Sequence, residues 1–321
     1  MKLWPRRLEM SVMKLVVAAC ALLWAVAGVA GQSPFTGRWN LSGTGEHAGH
    51  VYWLEVREEG GILKGMFLNR GGSPVALPDI RIEKGELIFR LAGPPDKPGP
   101  EFRGRLQDGR LVGRSVHGDR TVNWVGTRPP TWPAADANAP QGFGTPVPLF
   151  NGTSLENWEL QHKARPSGWA VADGMMSNEP KANNLISKEE FRDFRLDAEY
   201  KLEKDSNSGI YLRGRYELQV LDDFGKEPDR HGHMALYAWT PARVNASKPP
   251  GEWQVVEATI VGNRVTVTLN GQKVHDNAPI QAITGGALDA DETAPGPIMI
   301  QGDHGRVWFR KLVVTPIIGT R

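Results

Sequence analysis

Apolar residues in this chain come in short runs, many alternating with polar ones, and most runs end at a glycine-containing pair. Alternation places every second side chain on one face of a strand, so the pattern calls for half-buried β-strands joined by tight turns. No stretch carries the three-to-four spacing of a long amphipathic helix. From Phe35 to about Arg128 the runs include Val51–Val56, Ile62–Leu68, Glu86–Arg90, Glu101–Leu106, Arg110–Arg114 and Val122–Gly126. Gly-Gly, Lys-Gly and Asp-Gly pairs separate them, the signature of consecutive antiparallel hairpins. About eight such runs suffice to close a small barrel or a two-sheet sandwich and so remove exposed edges. From Pro148 onward the strands resume, with Phe194–Leu202, Gly209–Arg213, Tyr216–Val220, Trp253–Val261, Arg264–Leu269 and Val307–Val314. Gly262-Asn263 and Asn270-Gly271 mark hairpin turns there, and Ser187–Phe191 reads as a single helical turn. The fold class is therefore all-β: an N-terminal small antiparallel barrel or sandwich and a C-terminal jelly-roll sandwich.

The organisation follows from composition. Residues 1–30 read as an export signal, with Arg6, Arg7 and Lys14 ahead of an apolar run from Leu15 to Val29 and small residues at Gly28-Val29-Ala30. The run is shorter than the ~20 residues that span a bilayer, so a cleaved leader fits better than an anchor, and a periplasmic or extracellular location is expected. After its removal no transmembrane segment is expected. Residues 33–128 form the first β domain, of unassigned role. Residues 129–147, rich in Pro, Ala and Gly, read as a linker, and residues 148–318 form the second domain. The one cysteine, Cys20, lies in the leader, so the mature chain carries no disulfide. A net charge of +2, from 38 basic and 36 acidic residues, supplies no basic face for nucleic acid. The chain holds 11 Trp, most of them read as core and some as platforms on which sugar rings could stack.

Alternation also sorts the polar residues of the second domain. With Ile210, Leu212, Leu218 and Val220 turned inward, Tyr211, Arg213, Glu217 and Gln219 share the opposite face if the two strands pair. An acid, an amide, a guanidinium and a ring are the mixture that sugar hydroxyls and C–H faces need, although a solvated face with cross-strand pairs has the same pattern. Asp222 ends the second strand, as a possible base or as a turn residue. Gln301, Asp303 and His304 follow the apolar run Ile298–Ile300. His304 is the best general acid/base because imidazole titrates near pH 6.5, and Asp303 would orient it. His231-Gly232-His233 lacks a third metal ligand and reads as a polar loop. No cofactor is predicted, and the acidic loop of Asp289, Asp291 and Glu292 leaves a divalent cation such as calcium open. The chain has no G-x-S-x-G elbow, no phosphate loop, no dinucleotide fingerprint and no E-x-D-x-x-E run of laminarinase type.

Several motifs of the second domain occur in an order that resembles the 3-keto-disaccharide hydrolase (DUF1080) family. They include Leu149-Phe150-Asn151-Gly152 with Trp158, Trp169-Ala170-Val171-Ala172-Asp173-Gly174, and Asn207-Ser208-Gly209-Ile210-Tyr211-Leu212-Arg213. Tyr216-Glu217-Leu218-Gln219-Val220-Leu221-Asp222, Gly251-Glu252-Trp253-Gln254 and Pro297–Gly305 continue the series, the last with extra residues before its histidine. The resemblance implies a concanavalin A-like sandwich with a groove for carbohydrate, and cleavage of glycosides whose C3 hydroxyl has been oxidised to a ketone. In that reading His304 or Glu217 moves protons, with Asp222 as a further catalytic carboxylate. Arg213 polarises the ketone, and Asn207, Tyr211, Gln219, Tyr237, Gln301 and Asp303 hold the substrate. A non-catalytic carbohydrate-binding module and a structural surface protein are the alternatives. The oligomeric state is not indicated.

Overall fold

The structure is a computed structural model that describes residues 33–319. The export signal and Cys20 lie outside the described residues. From Phe35 on, the chain is one compact unit. Among the described residues the only helical element is a 3-10 turn, Gly45–His47, and no helix is long and apolar enough to cross a membrane.

The first strands are β1 (Gly37–Gly43), β2 (Val51–Glu59), β3 (Ile62–Leu68), β4 (Val75–Ala76), β5 (Asp79–Glu83), β6 (Glu86–Arg90), β7 (Glu101–Gln107), β8 (Arg110–His117) and β9 (Arg120–Thr127). Sequence neighbours pair antiparallel except β4 and β5, and β1 also pairs with β9. β4 and β5 are one bent run. Its first half pairs with β3, its second half pairs with β6, and Leu77 N–H between them donates to Gly65 O at 2.9 Å. The meander therefore closes on itself as a barrel, the edge-free outcome that eight successive runs allow. Two-residue turns such as Lys84-Gly85 and Asp108-Gly109 take positive φ at both positions, matching the twist of the strands they join. Trp39, Tyr52, Phe67, Phe89, Phe102 and Trp124 fill the interior, with Phe89 and Phe102 stacked at 4.8 Å.

The second group of strands is β10 (Gly142–Phe143), β11 (Val147–Phe150), β12 (Trp158–Leu160), β13 (Trp169–Ala172), β14 (Met175–Asn178), β15 (Leu185–Phe191), β16 (Phe194–Leu202), β17 (Asn207–Leu212), β18 (Tyr216–Leu221), β19 (Gln254–Val261), β20 (Arg264–Leu269), β21 (Gln272–Pro279), β22 (Gly296–Ile300) and β23 (Val307–Ile318). One sheet runs β13-β14-β23-β16-β19-β20-β21, with β10 and β11 added along β23. The other runs β12-β15-β22-β17-β18. Neighbours such as β22 and β17 are far apart in sequence, as a jelly-roll sandwich requires, and Leu196, Tyr200, Ile210, Leu218, Ile298 and Phe309 pack between the sheets. Ser187–Phe191 is not a helical turn but the end of β15. A register shift lies between Ile186 and Glu190, and Ser187 Oγ bonds Glu189 O and Ile298 N–H, so the polar stretch is held as a bulge.

The segment joining the two β systems is laid along the sandwich. Ala137 packs with Val261 and Ile317, and Asn138 bonds Asp276 and Thr266. The barrel touches the sandwich through β1, where Asn40 Nδ2 donates to Glu292 Oε1 at 2.7 Å, and through β2 and β3. Val51, Trp53 and Leu68 belong to the sandwich core, and the Trp53 ring meets Trp239 edge-on at 4.9 Å.

Candidate functional site

The β17–β18 hairpin builds the floor of the site. Its register sets Tyr211 opposite Glu217 and Gly209 opposite Gln219. Alternation then sends Ile210, Leu212, Leu218 and Val220 into the core and presents Asn207, Tyr211, Glu217 and Gln219 to one cavity, as the sequence pattern requires. Gly209 shares that face for a steric reason. A Cβ there would sit 2.4 Å from Glu217 Oε1, so any larger residue would displace the carboxyl group.

The cavity, of about 300 Å³, suits a small ligand. Gln301, Asp303 and His304 enter from the end of β22, and Tyr237 from the segment that runs beside β18. The loop after β22 is held by amides. Asn184 Oδ1 accepts from Gly302 N–H at 2.7 Å, Asn207 O accepts from Gly305 N–H at 2.8 Å, and Asn178 Nδ2 donates to the carbonyls of Gly302 and Gly305.

Glu217 is 3% exposed, and burial above all pushes its carboxyl up to about 8, with Asp303 adding to the rise while Tyr211 and His304 oppose it. The hydrogen bonds around it are compatible with either protonation state. Tyr211 Oη lies 2.9 Å from Glu217 Oε2 and 2.9 Å from the carbonyl of Gly285. One hydroxyl proton cannot serve both, and a carbonyl only accepts. When Tyr211 donates to Gly285, Glu217 must carry a proton and donate to Tyr211. With its carboxyl pushed up to about 8, Glu217 is largely protonated at neutral pH.

His304 is half exposed, and its Nδ1 lies 2.8 Å from Asp303 Oδ1. That bond leads in raising the imidazole above its ordinary value, against desolvation, with the charges of Asp303 and Glu217 in support. For Asp303 burial is the largest single influence and pushes upward. The bond to His304 and its charge outweigh it, leaving the carboxyl below its ordinary value. With Nδ1 engaged by Asp303, Nε2 is the His304 ring nitrogen left for a ligand in the cavity that His304 lines. The acceptor oxygens Gln219 Oε1 and Asn207 Oδ1 are buried without partners. Buried acceptors of this kind are matched to hydroxyl or N–H donors.

Two expected residues are elsewhere. Arg213 does not face the cavity. It opens the β17–β18 turn with φ +54, followed by Gly214 at +65, so the chain leaves the strand alternation there. Its guanidinium, 1% exposed, donates to Asp193 Oδ1 at 2.7 Å, Gly262 O at 2.8 Å and the Arg192 carbonyl. It is a rivet between loops, and the expected role of polarising a ketone has no geometric basis. Asp222 likewise turns away, accepting from Asp205 N–H at 2.8 Å across the turn before β17. His231 and His233 diverge, toward Ser73 and toward Tyr200. Asp289 pairs with Arg215, Asp291 caps Thr293, and Glu292 accepts from Asn40 and Tyr216, so these carboxylates do not converge.

Residues absent from the sequence-based set complete the walls: Gln161, His162, Asn184, the pair Gly285-Gly286, Met299 and, from the barrel, Arg70, Gly71 and Gly72. Asn183 and Asn184 precede an apolar run, which reads as an ordinary turn. Nothing in the sequence links the barrel loop to this cavity.

Comparison with known proteins adds the following. A curated 3-keto-disaccharide hydrolase of Bacteroides thetaiotaomicron is 26% identical, over 40% of this chain and 57% of its own length. The chain thus spans little more than half of that relative. A glycosyl hydrolase candidate of Parabacteroides distasonis, known from its crystal structure, is 27% identical. The match covers 53% of this chain and 82% of that one, with a TM-score of 0.47. A second from the same organism is 25% identical over 54% of this chain and all of that one, with a TM-score of 0.42. The profile of the 3-keto-alpha-glucoside-1,2-lyase-like domain matches residues 145–315. That is just over half of the chain and spans the whole β17–β18 and β22 cavity floor, so the chain belongs to this family.

Proposed function

We propose that the sandwich cleaves glycosides carrying a ketone at C3, by elimination across C1–C2 followed by addition of water. The observation that supports this most is the neutral buried acid Glu217 sharing one cavity with a His304–Asp303 pair. A C3 ketone acidifies the C2 hydrogen. His304 Nε2, in its neutral form, takes that proton. The C1–O bond breaks, Glu217 gives its proton to the departing oxygen, and a C1=C2 enone remains. Water then adds its hydroxyl to C1 and its proton to C2, regenerating the ketone. Each transfer needs a group with a pKa near the working pH, which the two residues supply from opposite protonation states. Tyr211 and Tyr237 are the hydroxyl donors nearest the Glu217 end, and Gln219 and Asn207 accept from sugar hydroxyls.

A carbohydrate-binding module presents an open aromatic platform. Here the polar groups converge in a concave site instead, which favours a catalyst. The charged and apolar leader supports an exported enzyme, and the amino-terminal sequence of the mature protein tests that point. The primary test is release of aglycone from a 3-keto-glucoside and from its unoxidised parent, with and without chelator. We expect turnover of the keto substrate alone, and the chelator arm reads any need for a metal. Binding of both sugars with turnover of neither would replace this reading with the binding module.

A further inference from the structure

The barrel lies outside the residues matched by the family profile, yet it walls the cavity. The loop between β3 and β4 is pinned there at three places. Arg70 O accepts from Gly286 N–H at 2.9 Å. Gly72 packs so closely on Gly285 that a Cβ on Gly285 would lie 2.7 Å from Gly72 O. Ser73 Oγ sits 2.6 Å from His231 Nε2, and the His231 ring packs edge-on against Tyr237 at 5.3 Å. The same Gly285 carbonyl bonds Tyr211, so the loop rests on the residues that hold Glu217.

Arg70 is the guanidinium of this loop that lines the cavity. Its side chain is exposed and has no carboxylate partner among the described residues. The cavity's own carboxyl groups do not pair with it, because Glu217 is bonded to Tyr211 and Asp303 to His304. Further basic groups of the barrel lie near Arg70. His50 is held below its ordinary value first by burial, and then by the charges of Arg70, His47, His117 and Arg120. A substrate approaching from this side meets the guanidinium of Arg70.

Resting on the function proposed above, we propose that the barrel completes the substrate site and that Arg70 selects glycosides whose leaving group carries a carboxylate. The keto ring occupies the floor, where Gln219 and Asn207 have unused acceptors, and the leaving group extends toward the Arg70 loop. A guanidinium matches a carboxylate in charge and in fork geometry, whereas the neutral remainder of a sugar gives it no such partner. Arg70 is a specificity residue in this account, outside the segment that carries the chemistry.

The test uses two 3-keto-glucosides of closely similar leaving groups, the 4-(carboxymethyl)phenyl and the 4-(carboxamidomethyl)phenyl compounds. In the full-length protein the carboxylate is expected to be favoured in kcat/KM by about five- to tenfold, the range between an exposed ion pair and a charge-assisted hydrogen bond. Arg70→Ala removes that ratio, Arg70→Lys keeps part of it, and Arg110→Ala, a distant exposed arginine of the barrel, leaves it intact. The same ratio is read as Kd on Glu217→Gln protein, so it is defined even if the wild type turns over neither compound, an outcome that would count against the proposed function alone. A ratio near one in the wild type, or one that survives Arg70→Ala, overturns the role of Arg70.

Discussion

Glu217 shows how one residue trades stability for chemistry. Its carboxyl moves from an ordinary 4.5 to about 8, chiefly through burial. A group whose folded pKa is raised contributes its full stability below the unfolded value and loses it as pH rises through the folded one. At ~1.4 kcal/mol per pH unit, the loss between pH 4.5 and 8 reaches at most about 5 kcal/mol. Glu217→Gln removes the titration and keeps the shape. Thermal melts at pH 4 should therefore be nearly the same for both proteins, while above pH 7 the variant should be the more stable. Equal melting temperatures across that range would mean that the carboxyl is solvated and not the buried acid described here. Activity should fall by about 10²–10⁴ in the variant, the usual worth of a general acid. In the wild type the rate should rise as His304 loses its proton, above the ordinary imidazole value, and fall as Glu217 ionises near pH 8, a narrow bell. Glu217→Gln should lack the falling limb. Glu217, Gln219 and Tyr211 were legible in sequence because strand alternation is a strict rule. The protonation state of Glu217 was not, because it depends on burial and on the Gly285 carbonyl, both set by distant segments.

At the scale of an element, the β17–β18 hairpin explains why alternation failed at one position. Arg213 follows Leu212 in the polar register, but the two residues between Leu212 and Arg215 form the turn, and positive φ at Arg213 and Gly214 rotates the side chain out of the strand pattern. An Arg-Gly pair between two apolar strands is a weaker turn signal than Asn-Gly, since arginine seldom takes positive φ. The structure accepts that strain because the guanidinium joins Asp193, Gly262 and Arg192. Arg213→Ala removes a buried guanidinium together with its bonds to Asp193, Gly262 and Arg192, a loss typically worth ~3–5 kcal/mol. For a chain of this size that lowers the melting temperature by roughly 10 °C. Below the transition the folded variant should keep kcat/KM, since Arg213 does not reach the cavity. A stable variant with collapsed kcat would return Arg213 to the ketone. Asp222 makes the same point more mildly. Its place at a strand end suits a base or a turn, and the Asp205 N–H decides for the turn.

Across the whole molecule, the two β systems were separable in sequence because each has its own run of strands and the segment between them is rich in proline. Their contact was not, because it is carried by residues that each system needs for itself. Trp53 lies on β2 of the barrel, but its ring is 1% exposed within the sandwich core against Trp239. Alternation gives Trp53 an outward direction on β2 without saying what covers it. The consequence is thermodynamic coupling. Val51, Trp53 and Leu68 remain buried only while both systems are folded, so the chain should melt in one transition, with calorimetric and van't Hoff enthalpies equal. Trp53→Ala should cost about 3–5 kcal/mol and split or broaden that transition. Trp53→Phe should cost far less. The indole Nε1 is buried without a partner, so its loss removes an unmet hydrogen bond along with some packing. Two well-separated transitions in the wild type would show that the barrel rests on the sandwich without sharing its core. The Arg70 loop would then be held only by its own bonds to Gly286 and His231.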